Sequence, residues 1–163
     1  MRIGGLTLRE HIRLHMPLFI FIATVWLLRL MLDAANAPHF IAHSFSVTVA
    51  VTITIFLAVL LMEVRQKGSY VNVVVATILL TAWGQLLIIA AIIFAVITKT
   101  NNVFTIPEFS VPGDDPYHVR HIIGHLTYVL GLGIIFGAVM GCILLLLLRV
   151  LVPPTPNGVE RKR

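Results

Sequence analysis

Four long runs of apolar residues, separated by short polar segments, constrain the fold of this chain more than any other feature. A helix needs about 20 predominantly apolar residues to cross the hydrocarbon core of a bilayer, and backbone polar groups cannot stay unpaired in lipid. Hydrophobic residues make up 58% of the chain and charged residues only 12%, which excludes a water-soluble monomer. We therefore expect an all-α integral membrane protein. The apolar runs cover residues 16–32, 40–62, 71–97 and 122–148.

The expected boundaries form a single domain of 163 residues. Thr7 and Glu10 have the spacing of a capping box, and Pro17 is expected to mark a bend into the membrane. Asp115 as N-cap and Pro116 in the first turn predict the start of the last helix. Short connections favour antiparallel neighbours, so we predict an up-down-up-down four-helix bundle. The predicted segments are a basic interfacial leader at 1–15, spans at about 16–35, 38–62, 71–98 and 116–150, and a polar tail at 153–163.

The distribution of basic residues predicts the orientation. They concentrate before the first span, in the connection between the second and third spans, and at the end of the chain. By the positive-inside rule, both termini are expected in the cytoplasm, in a membrane of the bacterial inner (plasma) type. Because the net charge of +5 is divided among separate segments, no nucleic-acid partner is expected. The expected partners are the lipid bilayer and either other membrane subunits or further copies of this chain.

Five of the seven histidines lie at the predicted outer ends of the second and fourth spans. Their spacings are i, i+4 on one helix and i, i+3, i+7 on the other, so each set forms a stripe on one helix face. If the second and fourth spans are diagonal partners, the two stripes converge inside the bundle. The five residues are His39, His43, His118, His121 and His125. The other two, His11 and His15, are expected on the solvated face of the basic leader.

Imidazole binds zinc, copper and iron, and buried ionisable groups are costly in a membrane unless they are paired or used. The five histidines therefore predict a transition-metal site, with Asp33 as a further ligand or as the acceptor of a histidine N–H. The alternative for Asp33 is a salt bridge to Arg29. Haem b held by His43 and His125 is the competing ligand, an arrangement similar in outline to the four-helix cytochromes b of membranes. Interfacial histidines without a ligand, and histidines that handle protons, remain further alternatives.

Two other stripes accompany the histidines. Gly133, Gly137 and Gly141 are spaced for close helix packing. Thr77, Thr81 and Gln85 lie on one face of the third span, where they predict helix association or a polar path through the membrane.

Three hypotheses for the function follow. The first is a metal- or haem-binding protein, such as a redox or respiratory-complex subunit. The others are a structural or assembly subunit without a ligand and a small cation transporter or channel. The sequence assigns no enzymatic reaction, because no nucleophile has a neighbouring base in a known arrangement.

Overall fold

Four helices long and apolar enough to cross a membrane dominate the computed structural model of this chain. The structure describes residues 2–105, 115 and 117–151, without the side chains of residues 39, 42 and 43. Within these residues the chain is all-helical and contains no strand, as the sequence predicts. The helices are α1 (Leu8–Ala34), α2 (His39–Ser44), α3 (Val47–Val64), α4 (Tyr70–Thr98), α5 (Val119–Gly124), a π-helical turn (His125–Val129) and α6 (Leu130–Leu151).

The candidate spans are α1, α3, α4 and one continuous helix over Val119–Leu151, which we call the fourth span. The predicted capping box is present at the start of α1: the Thr7 hydroxyl accepts from the Glu10 amide, and the Glu10 carboxylate accepts from the Thr7 amide. The helix continues through Pro17. Residues from Leu8 onward therefore belong to the same helix as the first span, and the expected bend at Pro17 does not divide them.

The predicted second span at 38–62 is divided into two helices. Phe45 adopts a non-helical conformation with φ −90° and ψ 62°. The Ser46 hydroxyl then accepts from the Val49 amide at 3.4 Å and caps α3. Because a serine N-cap satisfies an amide that would otherwise lack a partner, it stabilises a new helix start within the apolar run. His39 and His43 consequently belong to the short helix α2, which packs mainly against α1.

The helices α3 and α4 form the centre of the bundle. Both pack against each other, against α1 and against α6 of the fourth span. Between α1 and the fourth span there is no extensive packing in the described part of the chain. The second and fourth spans are therefore direct neighbours, which differs from the expected diagonal arrangement.

Hydrogen bonds close one end of the bundle, which we call the Asp33 end. The loop after α4 folds back so that the Asn102 side-chain amide donates to the Ala91 carbonyl at 2.9 Å. Val103 donates its backbone N–H to Asp33 Oδ2 at 2.8 Å. Val103 and Phe104 are buried. The loop thereby joins the end of α1 to the side of α4.

The opposite end, which we call the Asn72 end, is organised by one buried amide. Asn72 Nδ2 donates to the Gly4 carbonyl at 3.1 Å and to the Lys67 carbonyl at 2.8 Å. Arg149, in the last turn of α6, donates to the Gly68 carbonyl at 2.9 Å. The segment before α1, the α3–α4 connection and the end of the fourth span are therefore held together at this end.

Candidate functional site

The start of the fourth span is fixed by Asp115. Its carboxylate accepts from the backbone amides of Val119 and Arg120 at 2.8 Å each and from that of His121 at 3.2 Å. A carboxylate at this position also complements the positive end of the helix dipole. The helix begins at Val119, later than expected, and Pro116 lies outside the described residues. Asp115 thus orients the turn that carries His121.

Two histidines of the fourth span and one glutamine of α4 form the polar centre of the bundle, which we call the His–Gln cluster. His121, His125 and Gln85 are 1%, 6% and 4% exposed. His125 Nδ1 lies 2.8 Å from Gln85 Oε1. His125 Nε2 lies 3.1 Å from His121 Nε2, and the ring centroids are 4.9 Å apart. The cluster therefore links two spans.

The contact to Gln85 assigns the tautomer of His125. A carbonyl oxygen only accepts, so His125 carries its proton on Nδ1, and in the neutral ring Nε2 presents a lone pair. That lone pair faces His121 Nε2. The 3.1 Å separation suits an N–H···N hydrogen bond, and it also suits two ligands of one metal ion, because Zn–N bonds of about 2.0–2.1 Å near tetrahedral angles place two nitrogens about 3.3 Å apart.

A π-helical turn begins at His125 and ends at Val129. Such turns are rare and occur frequently at functional sites. The Leu130 amide donates to both the His125 and Thr127 carbonyls here. The wider turn shifts the phase between the histidines before it and the glycines after it, which the sequence did not predict.

The other predicted ligands have different surroundings. His118 lies before α5 with a left-handed φ of 52°, and its ring centroid is 6.2 Å from that of His121. Asp33 Oδ2 accepts from the Val103 amide. The side chains of His39 and His43 lie outside the described residues. Within the described residues, no group of three or more histidine, cysteine or acidic side chains is placed to hold a metal.

The surroundings of His125 leave little space for the predicted haem. Its Nε2 faces the His121 ring, with the two planes inclined by 27°. An axial histidine needs open space around the coordinating nitrogen for the porphyrin, so haem binding at His125 requires His121 to move. The side chain of His43, the second predicted axial ligand, lies outside the described residues.

The predicted polar path lies directly beside the His–Gln cluster. Gln85 and Thr81 line a cleft of about 370 Å³ between α3, α4 and the fourth span. The hydroxyls of Thr77 and Thr81 are buried and have no hydrogen-bond partner among the described residues. A buried hydroxyl without a partner costs roughly 1–3 kcal/mol. Gln85, Thr81 and Thr77 therefore form a polar strip. Within the described residues, the two threonine hydroxyls of this strip have no hydrogen-bond partner.

The glycine stripe packs inside the bundle. Added methyl groups at Gly133, Gly137 and Gly141 would contact side chains of α3 or α4 at 3.0 Å or less. The stripe thus allows the fourth span to approach the central helices closely, as small residues do in membranes.

A second histidine pair lies at the start of α1. We expected His11 and His15 on a solvated face, but both are completely buried, so that expectation is wrong. His15 Nδ1 lies 2.8 Å from the His11 carbonyl, and His11 Nε2 lies 3.3 Å from the Ile3 carbonyl. Their rings stack with centroids 6.3 Å apart. The signal was present in the sequence, because positions 11, 15, 18 and 22 share one helix face and Leu18 and Ile22 are also buried.

The sequence matches no protein-family model, and no curated protein sequence and no solved structure matches the chain. The fold and the site therefore define the class only as an all-helical chain with four helices able to span a membrane.

Proposed function

We propose that this chain is a multi-pass membrane protein that binds a transition-metal ion through His121 and His125. The observation that carries the proposal is the pair of facing Nε2 atoms, 3.1 Å apart in a buried site, with Gln85 on the far nitrogen of His125. Metal-ligating histidines almost always donate their other ring N–H to an oxygen acceptor, which fixes the tautomer. Gln85 has this relation to His125.

Zinc, copper and iron are the ions that imidazole favours. His118 is the nearest further histidine in the described part of the chain, and His39 and His43 remain predicted ligands. The 3.1 Å separation of the two Nε2 atoms is close to the spacing of two nitrogens bound to one ion, whereas haem at His125 requires His121 to move, so we favour the ion over haem b. With copper or iron, the site would support a redox role within a respiratory-type membrane complex.

The proposed topology is up-down-up-down with both termini in the cytoplasm. Packing partners support an antiparallel arrangement of α4 and the fourth span: Gly137 approaches Thr77, whereas Gly141, further along the chain, approaches Val73. Basic residues near the Asn72 end, including Arg13, Arg65 and Lys67, support its placement on the cytoplasmic side.

The test is the metal content of the protein purified in detergent and reloaded with Zn²⁺ or Co²⁺. We expect about one tightly bound ion per chain. His121→Gln or His125→Gln should abolish tight binding, and Gln85→Leu should weaken it by about 10–100-fold. His11→Gln alters a buried histidine pair elsewhere and serves as the matched control, with unchanged affinity.

Two outcomes would overturn this proposal. One is the absence of stoichiometric Zn²⁺ or Co²⁺ binding to a folded protein, and the other is equal loss of affinity in the His11→Gln control. If the purified protein shows a Soret band that is lost with His125→Gln, the ligand is haem and not a metal ion alone.

A second candidate function is cation transport along Gln85, Thr81 and Thr77. It is supported by the two buried threonine hydroxyls without described partners and by the cleft beside them. Cation flux into proteoliposomes should then fall with Thr81→Val and Thr77→Val. If the reconstituted wild-type chain produces no flux, this candidate is eliminated. The glycine stripe does not support the hypothesis of a structural subunit, because its residues pack against other helices of the same chain.

A further inference from the structure

A groove with a charged rim and apolar walls lies at the Asn72 end, between the start of α1 and the end of α3. Its volume is about 580 Å³. It is on the opposite end of the first span from Asp33 and shares no residue with the His–Gln cluster. The lining residues are Leu6, Glu10, Arg13, Leu14, Pro17, Leu61, Arg65 and Lys67.

Three cations converge on this groove from two segments of the chain. Arg13 comes from α1, and Arg65 and Lys67 come from the turn after α3. Within the described residues, none of their side chains makes a hydrogen bond or a salt bridge. The one carboxylate in the lining, Glu10, is engaged by the Thr7 amide at 2.7 Å and the Thr7 hydroxyl at 2.9 Å. Glu10 is also close enough to Lys67 for their opposite charges to attract each other, but the rim still carries three cations against one carboxylate and has an excess of positive charge.

The polarity of the groove changes along both of its walls. On α1, Pro17 lies four residues beyond Arg13, which is about 6 Å along a helix axis. On α3, Leu61 lies four residues before Arg65, at the same separation. Leu14 adds apolar surface between these levels. On each wall, the surface therefore changes from a guanidinium to apolar side chains within about one helical turn. This distance is comparable to the distance between the phosphate and the acyl chains of a phospholipid.

The turn that carries two of the cations is held by backbone hydrogen bonds. Arg65 donates its N–H to the Leu61 carbonyl at 3.0 Å, and Lys67 donates its N–H to the Met62 carbonyl at 2.8 Å. The Lys67 carbonyl in turn accepts from Asn72. Because this backbone is fixed before any ligand arrives, binding an anion requires the ordering of side chains only, which reduces the entropic cost.

We propose that this groove binds one anionic phospholipid. The phosphate contacts Arg13, Arg65 and Lys67, and an acyl chain lies along Leu14, Pro17 and Leu61. Charge complementarity selects an anionic over a zwitterionic headgroup, since each basic residue near a membrane surface contributes to the attraction of anionic lipid. The inference does not depend on the proposed metal site.

The test is native mass spectrometry of the full chain in neutral-detergent micelles that contain either phosphatidylglycerol or phosphatidylcholine. We expect one retained phosphatidylglycerol per chain at concentrations where phosphatidylcholine is not retained. Arg13→Gln, Arg65→Gln and Lys67→Gln should each weaken retention by about fivefold. Arg9→Gln removes an exposed cation of α1 that does not line the groove, and this control should retain the lipid as the wild type does.

Inorganic phosphate and glycerol phosphate form the second arm, which separates a lipid from a free anion. We expect neither to displace phosphatidylglycerol at millimolar concentration, because neither contacts the apolar walls. Displacement by either would show a small-anion site and overturn the lipid proposal. Equal retention of the two phospholipids, or an effect of Arg9→Gln as large as that of Arg65→Gln, would overturn it as well. Far-UV circular dichroism of each variant checks that the fold is unchanged.

Discussion

A single methyl group on the fourth span tests whether this helix packs as closely as the structure indicates. A methyl group at Gly137 would lie 2.7 Å from Ile55 Cδ1 and 2.9 Å from Thr77 Cγ2. Both distances are well below the 3.5–4.0 Å optimum for carbon atoms. Thr77 is completely buried and branched at Cβ, so its side chain has few alternative rotamers. The substitution Gly137→Ala therefore either forces the fourth span away from α3 and α4 or strains the side chains of Ile55 and Thr77.

The magnitude follows from two opposing terms. Replacing glycine by alanine in a helix gains about 1 kcal/mol of intrinsic propensity, whereas overpacking a close contact costs about 1–3 kcal/mol. Gly131 lies on the same helix, and an added methyl group there would meet no described atom within 4 Å. Gly131→Ala therefore changes stability only through the gain in helix propensity. We expect Gly137→Ala to be less stable than Gly131→Ala by about 1–3 kcal/mol.

The measurement is the free energy of unfolding of each variant in mixed micelles, with increasing mole fraction of a denaturing detergent and far-UV circular dichroism as the signal. Because both variants gain the same methyl group, their difference isolates the steric term. Equal free energies of unfolding for Gly131→Ala and Gly137→Ala would refute the packing of the fourth span against Ile55 and Thr77.

Two further substitutions test the ends of the bundle. Asn72→Leu removes the donor to the Gly4 and Lys67 carbonyls, so the free energy of unfolding should fall by about 1–3 kcal/mol in the same assay; an unchanged value would contradict the role given to this amide. Asp33→Ala removes the acceptor of the Val103 amide, so hydrogen exchange at Val103 should accelerate, whereas Asp33→Asn retains an acceptor oxygen and should exchange more slowly than Asp33→Ala. Equal exchange in these two variants would argue against that bond.

The sequence predicted the helices and several of their starts because those depend on local chemistry. The lengths of the apolar runs determine four potential spans, and the Thr7–Glu10 box is present as predicted. The prediction of Asp115 as N-cap was wrong, because His118 is the N-cap and the helix begins at Val119, although the Asp115 carboxylate does accept from amides of the first turn. The break before Ser46 was missed, although a serine within an apolar run is a candidate cap, because the hydrophobicity of the run continues across it.

The arrangement of the helices was harder to predict because it depends on contacts between distant segments. Periodicity placed His121 and His125 on one face, but it did not identify Gln85 as their partner. That contact joins the third and fourth spans, and the level at which two helices meet is not encoded in the periodicity of either. The packing of α3 against α6 was not predicted either, because a symmetric bundle would separate the second and fourth spans. The basic composition of the leader favours a solvated helix, whereas His11 and His15 are buried because they share one helix face with Leu18.

The π-helical turn at His125–Val129 makes the direction of the histidines depend on the number of residues in the chain as well as on their identity. This turn places one residue more than an α-helical turn between the Leu130 amide and the His125 carbonyl, so a regular α-helix through the same residues would rotate everything before the turn by about 100° relative to everything after it. His121 would then turn away from α4, while Gly137 and Gly141 kept their positions. Deleting one residue between His125 and Leu130 would turn their hydrogen bond into an ordinary α-helical one, so this deletion should remove the π-helical turn and leave the imidazoles facing α4.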